Sequence, residues 1–142
     1  MSKTKSKLVC GFTILELLIS VAIIAMLSAI VLVGVSSIRE RGRDARRLSD
    51  VNEIQKALNL YFTNHNTFPV FPTEITITGE DLFSVALENE KLITAVPVDP
   101  MPTFGSYKYQ SNSIGTNFYL NFCLETDTIL KYTKGCNNRV TP

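Results

Sequence analysis

Apolar positions divide the chain into two unlike halves. Residues 17–35 read LLISVAIIAMLSAIVLVGV, and no charged residue occurs from Leu17 to Ile38. At about 1.5 Å per residue, a helix of this length crosses most of the ~30 Å hydrocarbon core of a bilayer. The run is too long for the h-region of a secretory signal, which also ends at a small-residue cleavage site. It therefore predicts a transmembrane helix over residues 12–35.

A second apolar pattern follows, with spacings of three and four that are typical of an amphipathic helix. Its members are Ile38, Ala45, Leu48, Val51, Ile54, Leu58 and Tyr61, and the positions off this stripe include Arg46, Asp50, Glu53, Gln55 and Lys56. The pattern predicts that residues 36–64 continue the first helix until the Asn64–Pro69 stretch ends it, since proline cannot continue the hydrogen-bond ladder. A helix from Phe12 to about Asn64 would be ~80 Å long. Its first half must therefore be buried in lipid or against copies of itself.

Residues 65–142 predict a small polar head. Leu82, Phe83, Ala86 and Leu87 suggest a short helix within 80–90, and residues 117–125 alternate as a strand does. Residues 106–110 and 128–132 are shorter strand candidates. We expect a three-stranded antiparallel meander whose apolar face covers the stripe of the long helix, because a small sheet is not stable alone. The predicted fold class is α+β.

Composition excludes several kinds of site. The 142 residues carry a formal net charge of +1, with three cysteines and one histidine. Without a CxxC pair or a cysteine–histidine cluster, a zinc site is not expected. His65 alone supplies no catalytic triad, and its place in a helix-terminating turn favours a solvated residue. We therefore expect no enzymatic activity.

Two cysteines lie in the predicted head, where oxidation can occur outside the membrane. A bridge between Cys123 and Cys136 would close a short loop. A hairpin turning near Asp127, however, pairs Cys123 with a residue near Leu130, so the tail would have to fold back for the bridge to form. The sequence leaves this disulfide open.

Basic residues lie on both sides of the apolar run. Lys3, Lys5 and Lys7 precede it, whereas five arginines follow it between residues 39 and 47, diluted by Glu40 and Asp44. The positive-inside rule is therefore ambiguous. The arginine cluster has no interleaved aromatic residues, so no nucleic acid is expected, and it favours a contact with headgroups or a seam between neighbouring helices.

A lone carboxylate, Glu16, lies near the start of the apolar run, where a charge is costly. The short lysine-rich leader, then Gly11, Phe12 and Glu16 in G-F-T-I-L-E, then the apolar run at once, resemble the type IV pilin and pseudopilin family. The resemblance implies cleavage of residues 1–11 after Gly11 and N-methylation of the new terminus, Phe12. It also implies a role for Glu16 in assembly, paired with the amine of Phe12 on the same or a neighbouring subunit. Cys10 would leave with the leader, and too few apolar residues precede it for a lipobox.

Residues 43–69 are similar to the matching stretch of major pseudopilins, and V-P-V-D-P with Y-K-Y, within residues 96–109, is loosely similar to a later one. Two departures stand out, because the chain has no tryptophan and no acid follows Asp99 until Glu125. The carboxylates that would complete a calcium loop are thus not evident. Asp99 is a candidate metal ligand, but its setting between Pro97 and Pro100 favours a rigid turn. Calcium is a cofactor that these residues do not support, and we expect none.

The resemblance implies a structural subunit of a type IV pilus-like filament or a type II secretion pseudopilus, with a competence pseudopilus as a third member of the class. Its partners would be copies of itself or other pilins, a prepilin peptidase and methyltransferase, an inner-membrane platform with its ATPase, and membrane lipid. The head would lie outside the cytoplasm, first on a single-pass anchor and then in a filament. The alternative is a signal-anchored protein with an external ligand-binding or partner-binding head that does not polymerise, in which Gly11 stays uncut.

Overall fold

The structure is a computed structural model that describes residues 12–142, except for the side chains of residues 30–34. It separates into two compact units, the first ending at Ile38 and the second comprising Arg39–Pro142. The elements are α1 (Ile14–His65), β1 (Ile75–Thr76), α2 (Leu82–Asn89), β2 (Lys108–Ser111), β3 (Phe118–Leu124) and β4 (Gly135–Val140). A long helix followed by an antiparallel sheet is the α+β order that the sequence predicts.

Helix α1 is 52 residues long and ends one residue beyond the predicted position. Asn66 adopts a φ of 56°, the left-handed conformation that often closes a helix. Its backbone N–H donates to the carbonyl oxygen of Phe62 at 2.8 Å, and Pro69 then prevents any continuation. Among the described residues, no helical stretch has the length and hydropathy together that a membrane span requires.

The second half of α1 has a buried face at helical spacing, but its first turns are charged rather than apolar. Val51, Ile54 and Leu58 are fully buried, as the stripe predicts. Ile38, in contrast, is 68% exposed, and the buried positions before Val51 belong to Asp44, Arg47 and Asp50. The predicted stripe is therefore wrong over residues 38–45, and the prediction that Asp50 lies off the buried face is also wrong. A pattern of apolar residues cannot reveal charges that are buried because they have partners.

The head contains a four-stranded antiparallel meander in the order β1-β2-β3-β4. Strand β3 follows the predicted alternation, with Phe118, Leu120, Phe122 and Leu124 buried, except that Cys123 is buried too, at the irregularity in its pairing with β4. Strand β1 has only two residues, which is too short for an alternation to be visible in the sequence. The predicted meander of three strands is thus confirmed in kind and extended by one strand.

The last strand lies at Gly135–Val140 and not at the predicted residues 128–132. The connection after β3 is longer than a simple hairpin turn: Asp127 accepts a hydrogen bond from the N–H of Lys134, and Tyr132 N–H donates to Ile129 O. Ile129 and Tyr132 still pack against the core, but from this connection. Their apolar character, which suggested a strand, is explained by that contact.

Helix α2 lies within the predicted residues 80–90. Asp81 caps its N-terminus, because its carboxylate accepts from the backbone N–H groups of Phe83 and Ser84, both at 3.0 Å. The helix buries Phe83 and Leu87 and leaves Leu82 exposed. These two side chains join one apolar core that α1 and the sheet also form, with Val51, Ile54, Ala57, Leu58, Phe68, Tyr107, Tyr109, Phe118, Leu120 and Phe122 among its members.

Gly115 and Gly42 provide a matched test of this packing. Gly115, in the turn between β2 and β3, has a φ of +67°, and an added Cβ would lie 2.7 Å from the carbonyl oxygen of Phe68. We expect Gly115→Ala to lower the free energy of unfolding by about 1–3 kcal/mol through strain and that close approach. Gly42, in α1, has no neighbour within 4 Å of an added Cβ. Gly42→Ala should instead raise stability by about 1 kcal/mol, because alanine is the better helix former. Urea unfolding of the two purified variants measures both, and equal effects would contradict the prediction.

Candidate processing and assembly site

The first described residues are those at which the sequence predicts processing. Phe12 is 70% exposed and precedes the first turn of α1. Gly11 and Cys10 lie outside the described residues, so the cleavage site itself is only partly visible. Among the described residues, Phe12 is thus exposed and outside the helix.

Glu16 forms a reciprocal cap with Thr13 at the start of α1. The N–H of Glu16 donates to Thr13 Oγ1 at 3.2 Å, and Glu16 Oε2 accepts from the N–H of Thr13 at 3.4 Å. This is a capping box, which satisfies two helix donors that otherwise lack partners. The T-x-x-E spacing is the signal for this cap in the sequence. Glu16 therefore has a local structural role beside any role in assembly.

Apolar side chains cover the whole circumference of this segment. Between Phe12 and Leu27 the large apolar residues are all more than half exposed, namely Phe12, Ile14, Leu15, Leu17, Leu18, Ile19, Val21, Ile23, Ile24, Met26 and Leu27. Because so many are consecutive, they point in every direction around the helix axis. An exposed apolar surface of this size marks a segment that is covered by another molecule or by lipid.

The polar groups within this apolar segment are satisfied locally. Ser20 Oγ donates to the carbonyl oxygen of Glu16, and Ser28 Oγ donates to that of Ile24, each at 2.7 Å. A serine bonded to the preceding turn presents no free donor to its surroundings. The two serines thus add little polarity to the outside of the helix.

A second cluster, here called the Arg47 cage, consists of Arg47 with the carboxylates of Asp44, Asp99 and Glu125. Arg47 has no exposed side-chain surface. Its Nε and Nη2 donate to both oxygens of Asp99, at 2.8 and 3.1 Å. Its Nη1 donates to Asp44 at 2.9 Å and to Glu125 at 2.6 Å. One guanidinium thereby joins α1, the turn at Asp99 and the end of β3.

Further donors complete the cage. Arg43, one turn earlier on α1, binds both oxygens of Glu125 through Nε and Nη2. Asp44 also accepts from the backbone N–H groups of Glu125 and Thr126, at 2.9 and 2.8 Å. Asp99 accepts from the N–H of Met101 at 2.7 Å. The carboxylates are therefore held by backbone groups as well as by the two arginines.

The hydrogen bonds of the cage shift the pKa values of Glu125 and Arg47 toward their charged forms. The hydrogen bond from Arg43 lowers the pKa of Glu125 to about 2, and Arg47 contributes in the same direction against the effect of burial. Burial opposes the charge of Arg47, but its hydrogen bonds to Asp99 and Glu125 outweigh this and raise the pKa of Arg47. Burial and the hydrogen bond to Asp50 raise the pKa of the neighbouring Tyr107, whose hydroxyl donates to that carboxylate at 2.8 Å.

Asp99 accepts from the N–H of Met101, two residues later, as in an Asx turn, and its side chain binds Arg47. The cage does not fit calcium, which takes six to eight oxygen ligands, because both oxygens of Asp99 already accept hydrogen bonds. In the described part of the chain, no group of three acidic, histidine or cysteine residues is arranged to hold a metal ion. The sequence reasoning missed Arg47 by treating the arginines as one exposed cluster. The Asp44–Arg47 spacing, aligned with Val51 and Ile54, was the available signal.

Cys123 and Cys136 form a disulfide in the structure. The chain folds back as that bridge requires: β4 pairs with β3 through Phe122↔Asn138 and Leu124↔Gly135, with an irregularity between Phe122 and Leu124. The hairpin register that paired Cys123 with a residue near Leu130 is thus wrong, because the strand begins later. Gly105 lies against the bridge, where an added Cβ would be 2.3 Å from Cys123 Sγ.

Glu125 predicts an acid-dependent loss of stability. Its pKa is lowered from 4.5 to about 2 in the folded chain, so its contribution is complete above pH 4.5 and is lost as the pH falls toward 2. We expect Glu125→Gln to cost about 1–3 kcal/mol at neutral pH and to flatten the fall in stability below pH 4.5. The control is Glu53→Gln, at an exposed position, which should follow the wild type. Measuring the free energy of unfolding across that pH range tests this prediction. Parallel curves of stability against pH for the wild type and Glu125→Gln would contradict it.

Comparison with known proteins identifies a known motif at the start of the chain. The family model described as the prokaryotic N-terminal methylation motif matches residues 6–32, a range that contains Gly11, Phe12 and Glu16. No curated protein and no solved structure matches the chain. At its N-terminus, the chain carries the prepilin leader signature of type IV pilins and pseudopilins.

Proposed function

We propose that the chain is a structural subunit of a type IV pilus-like filament or type II secretion pseudopilus. The observation that carries this proposal is the methylation motif at residues 6–32, which runs directly into a helix with exposed apolar side chains on all sides. Proteins with this motif are structural subunits, and we assign no enzymatic activity to the chain. Residues 43–69 and 96–109 favour a major pseudopilin, whereas the missing calcium loop disfavours it.

The proposed pathway begins in the membrane. The apolar segment inserts with the lysine-rich leader in the cytoplasm and the head outside. A prepilin peptidase removes residues 1–11, and Phe12 becomes an N-methylated terminus. A platform protein and its ATPase then extract the subunit into the filament.

Extraction is feasible because the apolar surface only exchanges one apolar partner for another. In the bilayer the side chains from Phe12 to Leu27 contact lipid, and in a filament they contact the same segments of other subunits. The hydrophobic effect opposes exposure to water but distinguishes little between lipid and protein. Packing and polar pairing therefore decide the register of assembly.

Glu16 supplies that polar pairing in our proposal. Cleavage after Gly11 creates a cationic amine at Phe12, next to the Thr13 N–H that Glu16 already accepts from. In a low dielectric, opposite charges at contact distance attract strongly and an unpaired carboxylate is penalised. Thr13 satisfies only part of the hydrogen-bonding capacity of Glu16, so the carboxylate keeps capacity for the amine of its own or a neighbouring subunit.

The N-terminus of the mature protein tests the processing step. In cells with a prepilin peptidase, we expect mass spectrometry to find a methylated Phe12 as the first residue. Gly11→Val should leave full-length protein in the membrane, because a branched side chain obstructs the peptidase site. Gly42→Ala, far from the cleavage site in sequence, serves as control and should be processed normally. An intact leader in the wild type would refute the proposal and favour the signal-anchored alternative.

Substitutions at Glu16 and Thr13 separate charge from capping. Glu16→Gln preserves the capping box, because glutamine also serves at that position, but it removes the charge. Thr13→Ala removes the cap partner and leaves the charge. We expect all variants to be processed. Glu16→Gln and Glu16→Ala should reduce filament yield at least about tenfold, whereas Thr13→Ala should leave it unchanged. The reason is that leaving the amine of Phe12 without its carboxylate partner costs more than losing the helix cap. Filament yield in sheared fractions measures this, and normal filaments from Glu16→Gln would remove the proposed role.

A further inference from the structure

The Arg47 cage joins three segments of the second compact unit, Arg39–Pro142, that are distant in sequence. Asp44 and Arg47 lie on α1, Asp99 lies in the turn before β2, and Glu125 follows β3. The contacts span up to 82 residues along the chain. A structural metal ion often makes such a connection in a small domain, since it gathers carboxylates from separate loops.

We propose that the guanidinium of Arg47 is the cation that organises this part of the head, so that the head needs no calcium or other divalent ion to fold. The proposal concerns folding and goes beyond the assignment of the chain as a filament subunit. Its consequence for assembly, that filaments form without calcium, does rest on that assignment.

The charges of the cage are nearly balanced without a metal. Three carboxylates, those of Asp44, Asp99 and Glu125, meet two guanidinium groups, those of Arg43 and Arg47. The cage therefore keeps a net charge of one negative unit. The N–H of Met101 donates to Asp99, and the N–H groups of Glu125 and Thr126 and the hydroxyl of Thr126 donate to Asp44. Hydrogen bonds from such donors stabilise a carboxylate without a further cation.

Every carboxylate oxygen of the cage is also engaged. Each of the six carboxylate oxygens accepts at least one hydrogen bond from a nitrogen of the chain. A calcium ion would have to displace the guanidinium to reach them at its usual 2.3–2.6 Å. The Phe104 ring covers Arg47, with its centroid 5.3 Å from the guanidinium carbon, and keeps the cation in place by a cation–π contact.

A cation that is part of a side chain differs from a bound metal ion, because it cannot dissociate. Calcium leaves a site when it is diluted or chelated, whereas a guanidinium stays and remains charged at any ordinary pH. The fold of this head should therefore be insensitive to chelators and to the calcium concentration outside the cell. It should be sensitive to any change at Arg47 itself.

Thermal unfolding of the full-length purified chain tests the proposal. The wild type is heated in excess EGTA and in about 5 mM calcium, a concentration above the dissociation constants of ordinary extracellular calcium modules. We expect the midpoints to agree within about 1 °C, whereas a site saturated at that concentration would raise the midpoint by several degrees. Arg47→Met, which retains much of the side-chain length without the charge, should lower the midpoint by about 10 °C or more. Arg46→Met, at a neighbouring side chain that is 66% exposed, should change it by less than about 3 °C.

The outcomes separate cleanly. A calcium-dependent midpoint in the wild type would overturn the proposal, and this arm needs no variant to fold. Equal midpoints for Arg47→Met and Arg46→Met would also overturn it, because the cation would then organise nothing. If Arg47→Met does not accumulate at all while Arg46→Met does, the result supports the proposal.

Assembly provides the last arm. Filaments that form equally in EGTA and in calcium support the inference, and filaments that require calcium refute it. Chains that form no filament in either medium would count against the proposed function, whereas the unfolding result would still decide the role of Arg47.

Discussion

The buried guanidinium of Arg47 is the interaction on which the head depends. A charge without solvent contact is costly unless every partner is in place, and here the partners come from α1, the turn at Asp99 and the end of β3. Breaking any one connection removes a partner from a charge that is shielded from water. The cage is therefore a condition that the surrounding segments must satisfy together. It specifies how the loops meet the helix, while the apolar core of Val51, Ile54, Leu58 and their partners supplies the driving force.

The two halves of α1 differ in where their side chains are buried. From Arg39 onward the helix buries one face in its own head, and even the charged residues on that face find partners within the chain. From Phe12 to Leu27, the large apolar side chains remain exposed, so their burial must come from outside the chain. The methylation motif lies over this second kind of surface. A head that folds within its own chain, joined to an apolar helix that needs an external partner, is what the proposed filament subunit requires.

The sequence predicted the elements whose signals are periodic and local. The end of α1 near Asn66, the short helix beginning after Asp81 and the alternation of β3 were all visible in that way. Two features were not visible. Arg47 and Asp50 are buried because distant partners also reach them, and although the Asp44–Arg47 spacing is a local signal, no local pattern contains Asp99, Glu125 or Tyr107. The last strand was misplaced because Ile129 and Tyr132 pack on the core from a loop and so imitate a strand. The capping box of Thr13 and Glu16 was visible in principle, since T-x-x-E is a local signal.

Glu16 joins the local and the intermolecular levels of this structure. As a capping residue it accepts from the first donors of α1, and the same orientation places its carboxylate beside the backbone that cleavage would turn into a cationic terminus. The two roles are compatible, because a carboxylate has more acceptor sites than the cap uses. Before cleavage the cap reduces the cost of holding a charge at the start of an apolar helix. In the proposed mature protein, a stronger, charged donor would lie one residue before the Thr13 N–H from which the carboxylate already accepts. The helix start that stabilises the precursor is therefore also prepared for the partner that assembly would provide.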